Sequence, residues 1–501
     1  MGITLDTNVL IVGAGPAGSV LALDLVRRGV RVRIIDKASG SFPGSRAKGI
    51  QPRTQEVFED LGILEKALQK GSDYPKMGIH VGPLTIPFRM QQQNKVTADV
   101  PYPNVLLLPQ YETDQLLHES LYRFGVNVEY ETAFVCLEQD KEGVTTTLST
   151  GEKIRSQYVV GADGGASMVR KAVGIQFIGK TNDADRMLIV DGKIRGLKRK
   201  YWHVWPRKQG KRVAACPLPD SEKFQVMIRL TPDDEVNLDN SSLKELFLKL
   251  TGLYLEDITW KSIFRPNVRL AERYRNDRIF LIGDAAHVHT PAGAQGLNTG
   301  IQDAYNLGWK LGQVLNGADA SLLDTYEKER QPIAAHVLKL SDALYAEIEQ
   351  KNLSGLKRGD EESQLGISYF DGPLAPNSNA HTKTLKVGDR APDAPCTGPN
   401  GEKRLFEIIK GPSFTLLAFG EEAMNVIGML NWSENGASLC KYVIGKYSDE
   451  QHIVDKNEQL KKIYGITQPS IILIRPDGYI GGIITNDWHV NFQNISKAFT
   501  K

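Results

Sequence analysis

The chain has 501 residues, a formal net charge of +2 at pH 7 and 41% hydrophobic residues. This length exceeds what one hydrophobic core usually supports, so we expect two or three domains of roughly 100 to 200 residues each. The charge is nearly balanced and no long run of like charge stands out. The composition therefore gives no support for a nucleic-acid partner or an anionic membrane partner.

The cysteines and the apolar runs indicate the compartment. The sequence begins almost at once with a strand, without a basic segment followed by an apolar signal core. No uninterrupted apolar run approaches the ~20 residues that span a bilayer. We therefore expect a cytoplasmic protein. The cysteines are too scattered for a disulfide framework or a CxxC metal site, which fits a reducing compartment; they are Cys136, Cys216, Cys396 and Cys440.

A glycine-rich turn between a strand and a helix is the first functional signal. Residues 8–12 form an apolar run, 19–28 have helical spacing, and 30–36 alternate as a strand does, so the segment predicts a βαβ unit. The glycines of GAGPAG, at 13–18, permit a tight turn, a close approach to a diphosphate and close helix packing. Asp36 stands about 20 residues on, where an acid accepts hydrogen bonds from a ribose. The fingerprint suits NAD and FAD equally.

The middle of the chain leaves this pattern and returns to it. Residues 144–160 predict a hairpin that turns at Ser149-Thr150-Gly151 and leads back to the nucleotide. Residues 185–265 have antiparallel α+β character, typical of a sheet inserted between nucleotide-binding pieces. A Gly/Pro/Asn/Ser-rich linker covers 371–380. The last ~120 residues carry their own strands, enough for a small separate domain.

Two later segments resemble known fingerprints. VGADGGASMVRKAVGI begins at Val160, and GDAAHVHTPAGAQGLNTGIQDAYNLGWKL begins at Gly283. With GAGPAG, and in this order, they resemble the fingerprints of FAD-dependent aromatic-ring monooxygenases of the p-hydroxybenzoate hydroxylase type. Segments 45–66 and 108–117 also look like this family. The pattern is most similar to phenol hydroxylase and to polyketide and rifampicin hydroxylases, which carry a thioredoxin-like C-terminal domain.

The resemblance implies an α/β fold: a Rossmann-type FAD-binding domain with an inserted α+β substrate-binding sheet and a C-terminal thioredoxin-like domain. The domains would be an FAD-binding part at 1–180 with an excursion into the substrate domain near 75–104, a substrate-binding sheet at 181–268, a returning FAD-binding part with helices at 269–370, the linker at 371–380, and a thioredoxin-like domain at 381–501. The first motif then assigns to the nucleotide Gly13, Gly15, Pro16, Ala17, Gly18, Asp36 and Lys37.

The segment after Gly283 carries the features that favour a flavin. Pro291, Gly293 and Gly296 would keep side chains away from the flat isoalloxazine ring. Gly296, Leu297 and Asn298 present backbone amides at the start of a helix, and a helix N-terminus stabilises negative charge. Reduced flavin is anionic around N1 and C2=O, so such amides favour hydride acceptance without a titrating side chain.

Five further residues come from the same comparison. Asp284 would accept a hydrogen bond from a ribityl hydroxyl, although an N-cap would also account for it. Arg46 and Gln110 match positions where the family places flavin contacts, and a solvated loop arginine is the alternative for Arg46. Val135 would meet the adenine by its main chain unless it is simply core. Asp163 is expected to hold loops or the nucleotide through backbone amides.

The resemblance also implies the chemistry. Such enzymes take a hydride from NADPH or NADH, form a flavin C4a-hydroperoxide with O₂, and transfer one oxygen atom to an electron-rich ring. With one well-formed G-x-G-x-x-G unit, the nicotinamide cofactor is expected to bind transiently. We expect a phenolic or polyketide-like aromatic substrate. The alternatives are a flavin epoxidase or Baeyer-Villiger-type oxygenase, and a non-catalytic FAD-binding module for a ligand or partner.

Aromatic alternation points to a substrate wall. Tyr201, His203 and Trp205 share one face of the strand YWHVWP, where they would form an aromatic wall with a polar edge; an ordinary half-buried strand explains the same pattern. His287 and His289 have a spacing that suits a metal pair, but ligands beyond Asp284 are lacking nearby, so we expect no metal. No single catalytic side chain is assigned, because the chemistry is centred on the flavin.

The C-terminal segment resembles thioredoxin in outline only. FTLLAFG at 414–420 and PSIILIRPDG at 469–478 predict strands, with Pro469 where a cis proline often precedes a strand. No C-x-x-C follows the first of these strands, so dithiol chemistry is not expected. Cys396 and Cys440 are lone thiols. The domain is expected to serve as a brace or a subunit contact, which is compatible with a homodimer.

Overall fold

The N-terminal motif folds into a parallel βαβ unit. In the computed structural model, β1 (Thr7–Val12), α1 (Pro16–Val26) and β2 (Val32–Ile35) follow one another, and the two strands pair in parallel. Strand β1 is an apolar run because parallel strands are covered on both faces. Pro16 opens α1, where a missing N–H costs nothing. The structure describes residues 5–82, 84–89, 93–181, 186–208, 211–231, 233–290, 292–349, 361–375, 380–445, 449 and 451–500.

The chain then crosses to a second sheet and returns. The predicted hairpin is present, because residues 144–147 pair antiparallel with 153–156. The elements up to residue 181 are β3 (Gly49–Ile50), α2 (Pro52–Asp60), α3 (Leu64–Lys70), β4 (Ser72–Asp73), β5 (Lys76–Val81), β6 (Leu84–Phe88), β7 (Leu106–Leu107), α4 (Gln110–Arg123), β8 (Val128–Glu129), β9 (Phe134–Gln139), β10 (Val144–Leu148), β11 (Lys153–Gly161), α5 (Met168–Ala172) and β12 (Phe177–Thr181).

The inserted sheet is built from residues 186–264 and completed by β5 and β6. Its strand order is β17-β13-β16-β15-β14-β5-β6, so the excursion near residue 75 joins the same sheet. Helix α6 covers one face, where Phe247 packs edge-on against Trp205. The elements are β13 (Arg186–Ile194), β14 (Tyr201–Lys208), β15 (Lys211–Pro217), β16 (Lys223–Leu230), α6 (Asn240–Thr251) and β17 (Leu255–Phe264). The next strand, β18 (Asn267–Ala271), belongs to a separate small sheet, in which it pairs with β12.

The chain returns to the nucleotide sheet through a short strand, followed by two long helices. These elements are β19 (Arg275–Asn276), β20 (Ile279–Leu281), β21 (His287–Val288), α7 (Gly296–Leu315) and α8 (Asp324–Glu349). The strand order of the nucleotide sheet is β19-β20-β11-β1-β2-β8, with β10 and β9 added beside β11. Among the described helices, none is both long enough and apolar enough to cross a membrane.

The C-terminal segment forms its own sheet with the order β23-β22-β26-β25-β24-β27-β28. The predicted strands are present at 414–419 and 470–474 and pair antiparallel. Within the described residues no peptide bond is cis, so the expectation for Pro469 is wrong. The elements are β22 (Pro395–Gly398), β23 (Gly401–Arg404), α9 (Leu405–Ile409), β24 (Phe414–Phe419), α10 (Glu421–Ile427), β25 (Leu439–Gly445), β26 (His452–Val454), α11 (Gln459–Ile463), β27 (Ser470–Ile474), β28 (Ile480–Ile484) and α12 (Trp488–Thr500).

A buried charge network joins this last sheet to helices α7 and α8. Arg475, after β27, donates two hydrogen bonds to Glu329 of α8, at 2.7 and 3.0 Å, and also pairs with Asp477 at 2.6 Å. Lys310 of α7 donates to Glu329 at 2.7 Å, and the Trp309 indole donates to Asp477 at 3.0 Å. All five side chains are buried. The C-terminal segment therefore holds α7 in place.

Candidate active site

Three strand ends bring the distant sequence motifs together. Val12 at the end of β1 pairs with Gly161 at the end of β11, and Gly161 pairs in turn with Leu281 at the end of β20. The three strands are parallel, so GAGPAG, GADGG and GDAAH all follow from the same edge of one sheet. Ligands bind at this edge in open α/β sheets.

A cavity of about 510 Å³ lies between this edge and the inserted sheet. Residues of all three motifs form one side of it, and β13, β14, β16 and β17 form the other. The predicted site residues that line it are Gly15, Pro16, Ala17, Arg46, Gln110, Asp284, Gly296 and Leu297.

The glycines of the first motif have distinct roles. Gly13 has φ +108°, and a Cβ there would overlap the Ala162 carbonyl; a Cβ on Gly18 would overlap the Gly13 carbonyl oxygen. These two glycines serve close packing of strand, loop and helix. At Gly15 a Cβ would meet nothing within 4 Å, and the residue lines the cavity. The space beside Gly15 is therefore open to a diphosphate at the N-terminus of α1.

Asp36 fixes the loop from the end of β2. Its carboxylate accepts hydrogen bonds from the amides of Ala14, at 2.8 Å, and Ala38, at 2.9 Å. On the other side of the loop, His118 contacts the Ala14 carbonyl at 3.0 Å. Lys37 is exposed after the strand end and does not line the cavity. The acid thus lies where the fingerprint requires it, against the glycine loop.

In the second motif, one carboxylate oxygen of Asp163 holds the start of a helix and the other does not. Asp163 Oδ2 accepts hydrogen bonds from the amides of Met168, at 2.7 Å, and Val169, at 3.2 Å, at the start of α5. Its Oδ1 is buried without a hydrogen-bond partner. Val135 is 51% exposed on β9, so it is not a core residue. A contact between Val135 and the adenine stays a prediction.

The third motif presents a carboxylate to the cavity. Asp284 lies in the turn Gly283–Ala285 after β20, is exposed, and lines the cavity. That turn has no side-chain cap, and its preceding residue is Ile282, so the N-cap interpretation of Asp284 does not apply. An acid in this position can accept a hydrogen bond from a ligand hydroxyl.

Helix α7 points its N-terminus at the same cavity. Gly296 and Leu297 line the cavity, and no side chain caps the preceding Gln295. The predicted contact of the Asn298 backbone amide with the flavin stays a prediction. The Asn298 side chain donates to the Gly49 carbonyl at 2.8 Å and accepts from the Gln51 amide, also at 2.8 Å. Its side chain therefore locks the loop before α2 to α7. Pro291 lies outside the described residues.

Each of the two histidines of this loop has a protein partner. His287 Nε2 contacts Asp303 at 2.6 Å, and Arg330 donates to the same carboxylate at 2.8 Å. Burial raises the pKa of Asp303, but His287 and Arg330 hold it below its ordinary value. His289 Nδ1 contacts the Thr290 carbonyl. Within the described ranges no cluster of three potential metal ligands exists.

His289 contributes an unpaired atom instead. Its Nε2 is buried without a hydrogen-bond partner, and a Cβ at Gly296 would stand 3.0 Å from it. Burial lowers the pKa of His289, which favours the neutral ring. A buried polar atom without a partner is costly, so this one is expected to be satisfied by a ligand in the cavity.

The inserted sheet supplies an apolar wall. Met187 and Ile189 alternate with the buried Leu188 and Val190 along β13, so one face of the strand meets the cavity and the other meets the core under α6. Across the sheet, Trp202, Met227 and Phe264 complete the wall. Sulfur and aromatic groups of this kind favour a flat apolar ligand.

The aromatic wall predicted on β14 lies on the other face of the strand. Trp205 is buried in the core with Phe247. His203 Nδ1 contacts His80 at 2.8 Å, and its Nε2 contacts the Lys198 carbonyl. Neither they nor Tyr201 line the cavity, whereas the intervening Trp202 does. The alternation separates the two faces of β14 correctly. The face predicted to form the substrate wall is the one on which Trp205 packs against α6.

These residues fit an FAD molecule. Gly15 leaves room along the loop, Asp284 presents a free carboxylate, and α7 directs its amides into the cavity. The unpaired His289 Nε2 and Asp163 Oδ1 are polar atoms that a ligand would satisfy. Gln51 also lines the cavity. The sequence analysis did not assign it, although it lies within the segment 45–66 that carries the resemblance.

Comparisons with known proteins identify the class. The family described as FAD binding domain matches residues 6–341. The chain is 39% identical over 488 residues to a flavin-dependent monooxygenase of Mycobacteroides abscessus, covering 95% of this chain and 96% of the other. The chain belongs to this family of FAD-dependent aromatic monooxygenases.

Two further proteins are similar along nearly their whole length. Rifampicin monooxygenase of Rhodococcus hoagii is 37% identical over 494 residues, covering 95% of each chain. The solved structure of OxyS anhydrotetracycline hydroxylase from Streptomyces rimosus superposes with a TM-score of 0.74 at 27% identity and covers 99% of both chains. The predicted family and fold class are thereby confirmed.

Replacing Asp284 with alanine is expected to weaken FAD binding by about ten- to a hundredfold, because a hydrogen bond to a charged group is lost. The measurement is the FAD dissociation constant, read from quenching of flavin fluorescence. Asp73→Ala, at an exposed carboxylate away from the cavity, is the matched control and should leave FAD affinity unchanged. Equal affinity in Asp284→Ala and the native chain would show that Asp284 does not hold the cofactor.

Proposed function

We propose that this monooxygenase hydroxylates a phenolic or polyketide-like aromatic compound, with NADPH or NADH as the reductant and O₂ as the oxygen donor. One observation carries the proposal: a single cavity is bounded on one side by the three nucleotide motifs and on the other by an apolar wall. A flat ring held against that wall would face the cofactor without an intervening layer of protein.

The proposed residues for FAD are those of the three motifs. Gly15 would face the diphosphate, Asp284 the ribityl chain, and the amides of Gly296 and Leu297 the reacting ring. When bound, FAD accepts a hydride from NAD(P)H and activates O₂ for transfer to an electron-rich ring. The N-terminus of α7 would stabilise the negative charge of the reduced state.

The apolar wall has a second task in this proposal. Trp202, Met227 and Phe264 would exclude water from the ring-binding side, and a dry site protects reactive intermediates from side reactions with water. The relatives are named for rifampicin and for anhydrotetracycline, which supports a polyketide-like aromatic for this chain. Hydroxylation is therefore preferred over epoxidation and Baeyer-Villiger chemistry.

Several finer assignments belong to the same proposal. The nicotinamide cofactor would bind transiently, since the sequence offers one well-formed G-x-G-x-x-G unit. The domain boundaries predicted from the sequence are retained, as are a cytoplasmic location and a homodimer in which the C-terminal segment acts as a brace or subunit contact. Its buried contacts with α7 and α8 support the brace.

The test is a screen of phenols and polycyclic aromatics with the FAD-loaded full chain. The expected result is NADPH or NADH oxidation that a subset of compounds accelerates strongly, together with a product heavier by one oxygen atom. Ring-expanded lactones or epoxides as the products would instead favour the alternative oxygenases. No acceleration across a wide panel would contradict the proposed function and favour a binding module.

A further inference from the structure

A buried lysine lies on the wall of the active-site cavity. Lys48 precedes β3, is 8% exposed and lines the cavity. Its Nζ donates a hydrogen bond to Gln225 Oε1 on β16 and lies 4.8 Å from the centre of the Trp202 ring on β14. Both contacts belong to the inserted sheet. Lys48 therefore stands on the side of the cavity that meets the apolar wall.

A chain of hydrogen bonds fixes the group that faces Lys48. Asp191 accepts from the Ser45 amide at 2.7 Å and from its hydroxyl at 2.6 Å. Gln225 Nε2 donates to Ser45 Oγ at 2.7 Å and to the Arg46 carbonyl at 3.3 Å. The amide nitrogen of Gln225 is thereby committed, so its oxygen is the atom that meets Lys48. The Asp191 carboxylate, at the other end of this chain of hydrogen bonds, is bonded to Ser45.

Lys48 therefore has a neutral hydrogen-bond partner, the Gln225 amide oxygen. In the described part of the chain, no carboxylate forms an ion pair with it. An ammonium has three donors, and the Gln225 oxygen accepts one of them. Burial lowers the pKa of Lys48, and the electrostatic influence of Cys216 and Asp191 opposes that shift. A buried cation in this setting gains most from an anionic oxygen placed in the cavity.

We propose that Lys48 binds the substrate and selects aromatic compounds with an acidic hydroxyl, which it holds as the phenolate or enolate. This inference rests on the proposed hydroxylase function, of which it names the substrate class. The hydroxyl proton goes to water or to a neutral Lys48 amine; either way, a phenolate oxygen ends beside an ammonium. An ionised hydroxyl also enriches the ring in electrons, as oxygen transfer requires.

The position of Lys48 favours the substrate over the cofactor. Its contacts, Gln225 and Trp202, are on β16 and β14, not in the loops that follow β1, β11 and β20. The Trp202 ring would serve as a flat neighbour for an aromatic substrate, and it already holds the ammonium by a cation–π contact. The cation therefore marks the edge of the site where a ring oxygen would bind.

The test uses two matched probes with the FAD-loaded full chain: 4-nitrophenol, which ionises, and its methyl ether 4-nitroanisole, which does not. The native chain should bind nitrophenol more tightly, and the bound phenol should ionise at lower pH than in water, visible as the yellow phenolate. Lys48→Met should weaken nitrophenol binding by about ten- to a hundredfold, with nitroanisole little changed. Lys48→Arg should retain part of the preference.

The controls separate the possible failures. Lys244→Met removes an exposed charge from α6, on the other face of the inserted sheet, and should change neither affinity nor the ionisation of bound nitrophenol. Equal weakening of both probes in Lys48→Met, or no weakening of either, would overturn the inference, as would a selective loss of FAD affinity. The measurement is of binding, so its outcome is independent of the activity screen. The Lys48 inference can fail although the chain hydroxylates another compound, and it can hold although the screen finds no hydroxylation.

Discussion

Gly15→Val is expected to weaken FAD binding by about a hundredfold while leaving the apo fold intact. Gly15 has φ −71°, which any residue adopts, and a Cβ there would meet no protein atom within 4 Å. The added side chain would instead occupy the space of the cavity beside the helix N-terminus. Overfilling a close-fitting site costs about 1–3 kcal/mol or more, which corresponds to about 5- to 150-fold in affinity.

The measurement pairs FAD titration with thermal unfolding of the apo chain. Gly428→Val is the matched control: its backbone is also unstrained, with φ −62°, and a Cβ there would meet no protein atom within 4 Å. That variant should keep native FAD affinity. If Gly15→Val bound FAD as the native chain does, the cofactor could not lie along the first glycine loop. If its apo form unfolded at a much lower temperature, the glycine would instead serve folding.

Arg475→Met is expected to lower the free energy of unfolding by about 3–5 kcal/mol, because it removes the cation that pairs with buried Asp477 and one of the two cations that pair with buried Glu329. Arg475 is 2% exposed and pairs with Glu329 and Asp477. Glu329 would then keep Lys310 as a cation and Asn306 as a neutral donor. Since Asp477 holds the Trp309 indole, α7 should lose support and FAD should be released more readily.

Denaturant unfolding followed by tryptophan fluorescence measures this loss. Arg33→Met is the control, because Arg33 also pairs with two carboxylates, Glu129 and Glu152, but at the partly exposed surface. Such pairs contribute about 1 kcal/mol or less. An equal loss in the two variants would mean that the buried network does not stabilise the chain beyond an ordinary surface pair.

The same network predicts the direction of the pH dependence. Burial raises the pKa of Glu329, but Arg475 and Lys310 outweigh it and lower the value to about 2. The native chain therefore keeps this stabilisation above the ordinary carboxyl pKa and loses it as the pH falls towards 2. In Arg475→Met the carboxyl pKa rises, so the loss of stability over that acid range should be smaller. If the free energy of unfolding fell equally with decreasing pH in both proteins, Arg475 would not be what lowers the pKa of Glu329.

The nucleotide-binding half of the site could be predicted from sequence because its signals are local. Glycine spacing, an apolar strand and a helix within 30 residues specify one βαβ unit, and β1, α1 and β2 appear where the pattern places them. The position of Asp284 at the cavity could be predicted because this residue comes directly after an apolar strand. The meeting of the three motifs followed from the resemblance, and the parallel register of Val12, Gly161 and Leu281 supplies its physical reason.

The substrate side could not be predicted in the same way. Alternation along β14 separates Trp202 from Tyr201, His203 and Trp205, but it does not say which face a helix will cover. Helix α6 packs on the second face at Trp205. Lys48 meets Gln225 across 177 residues, and Arg475 meets Glu329 across 146. Contacts between residues so far apart in the chain depend on how separate sheets and helices pack together. The spacing of apolar residues in a single sequence does not reveal such packing.

The most direct test of the account is oxygen labelling in the compound that most accelerates NADPH or NADH oxidation. The FAD-loaded chain is supplied with that compound under isotopically heavy O₂ in ordinary water, and the product mass is measured. We expect one heavy oxygen atom on the aromatic ring. A product without the label, or reductant consumption that yields only hydrogen peroxide from every compound, would contradict it.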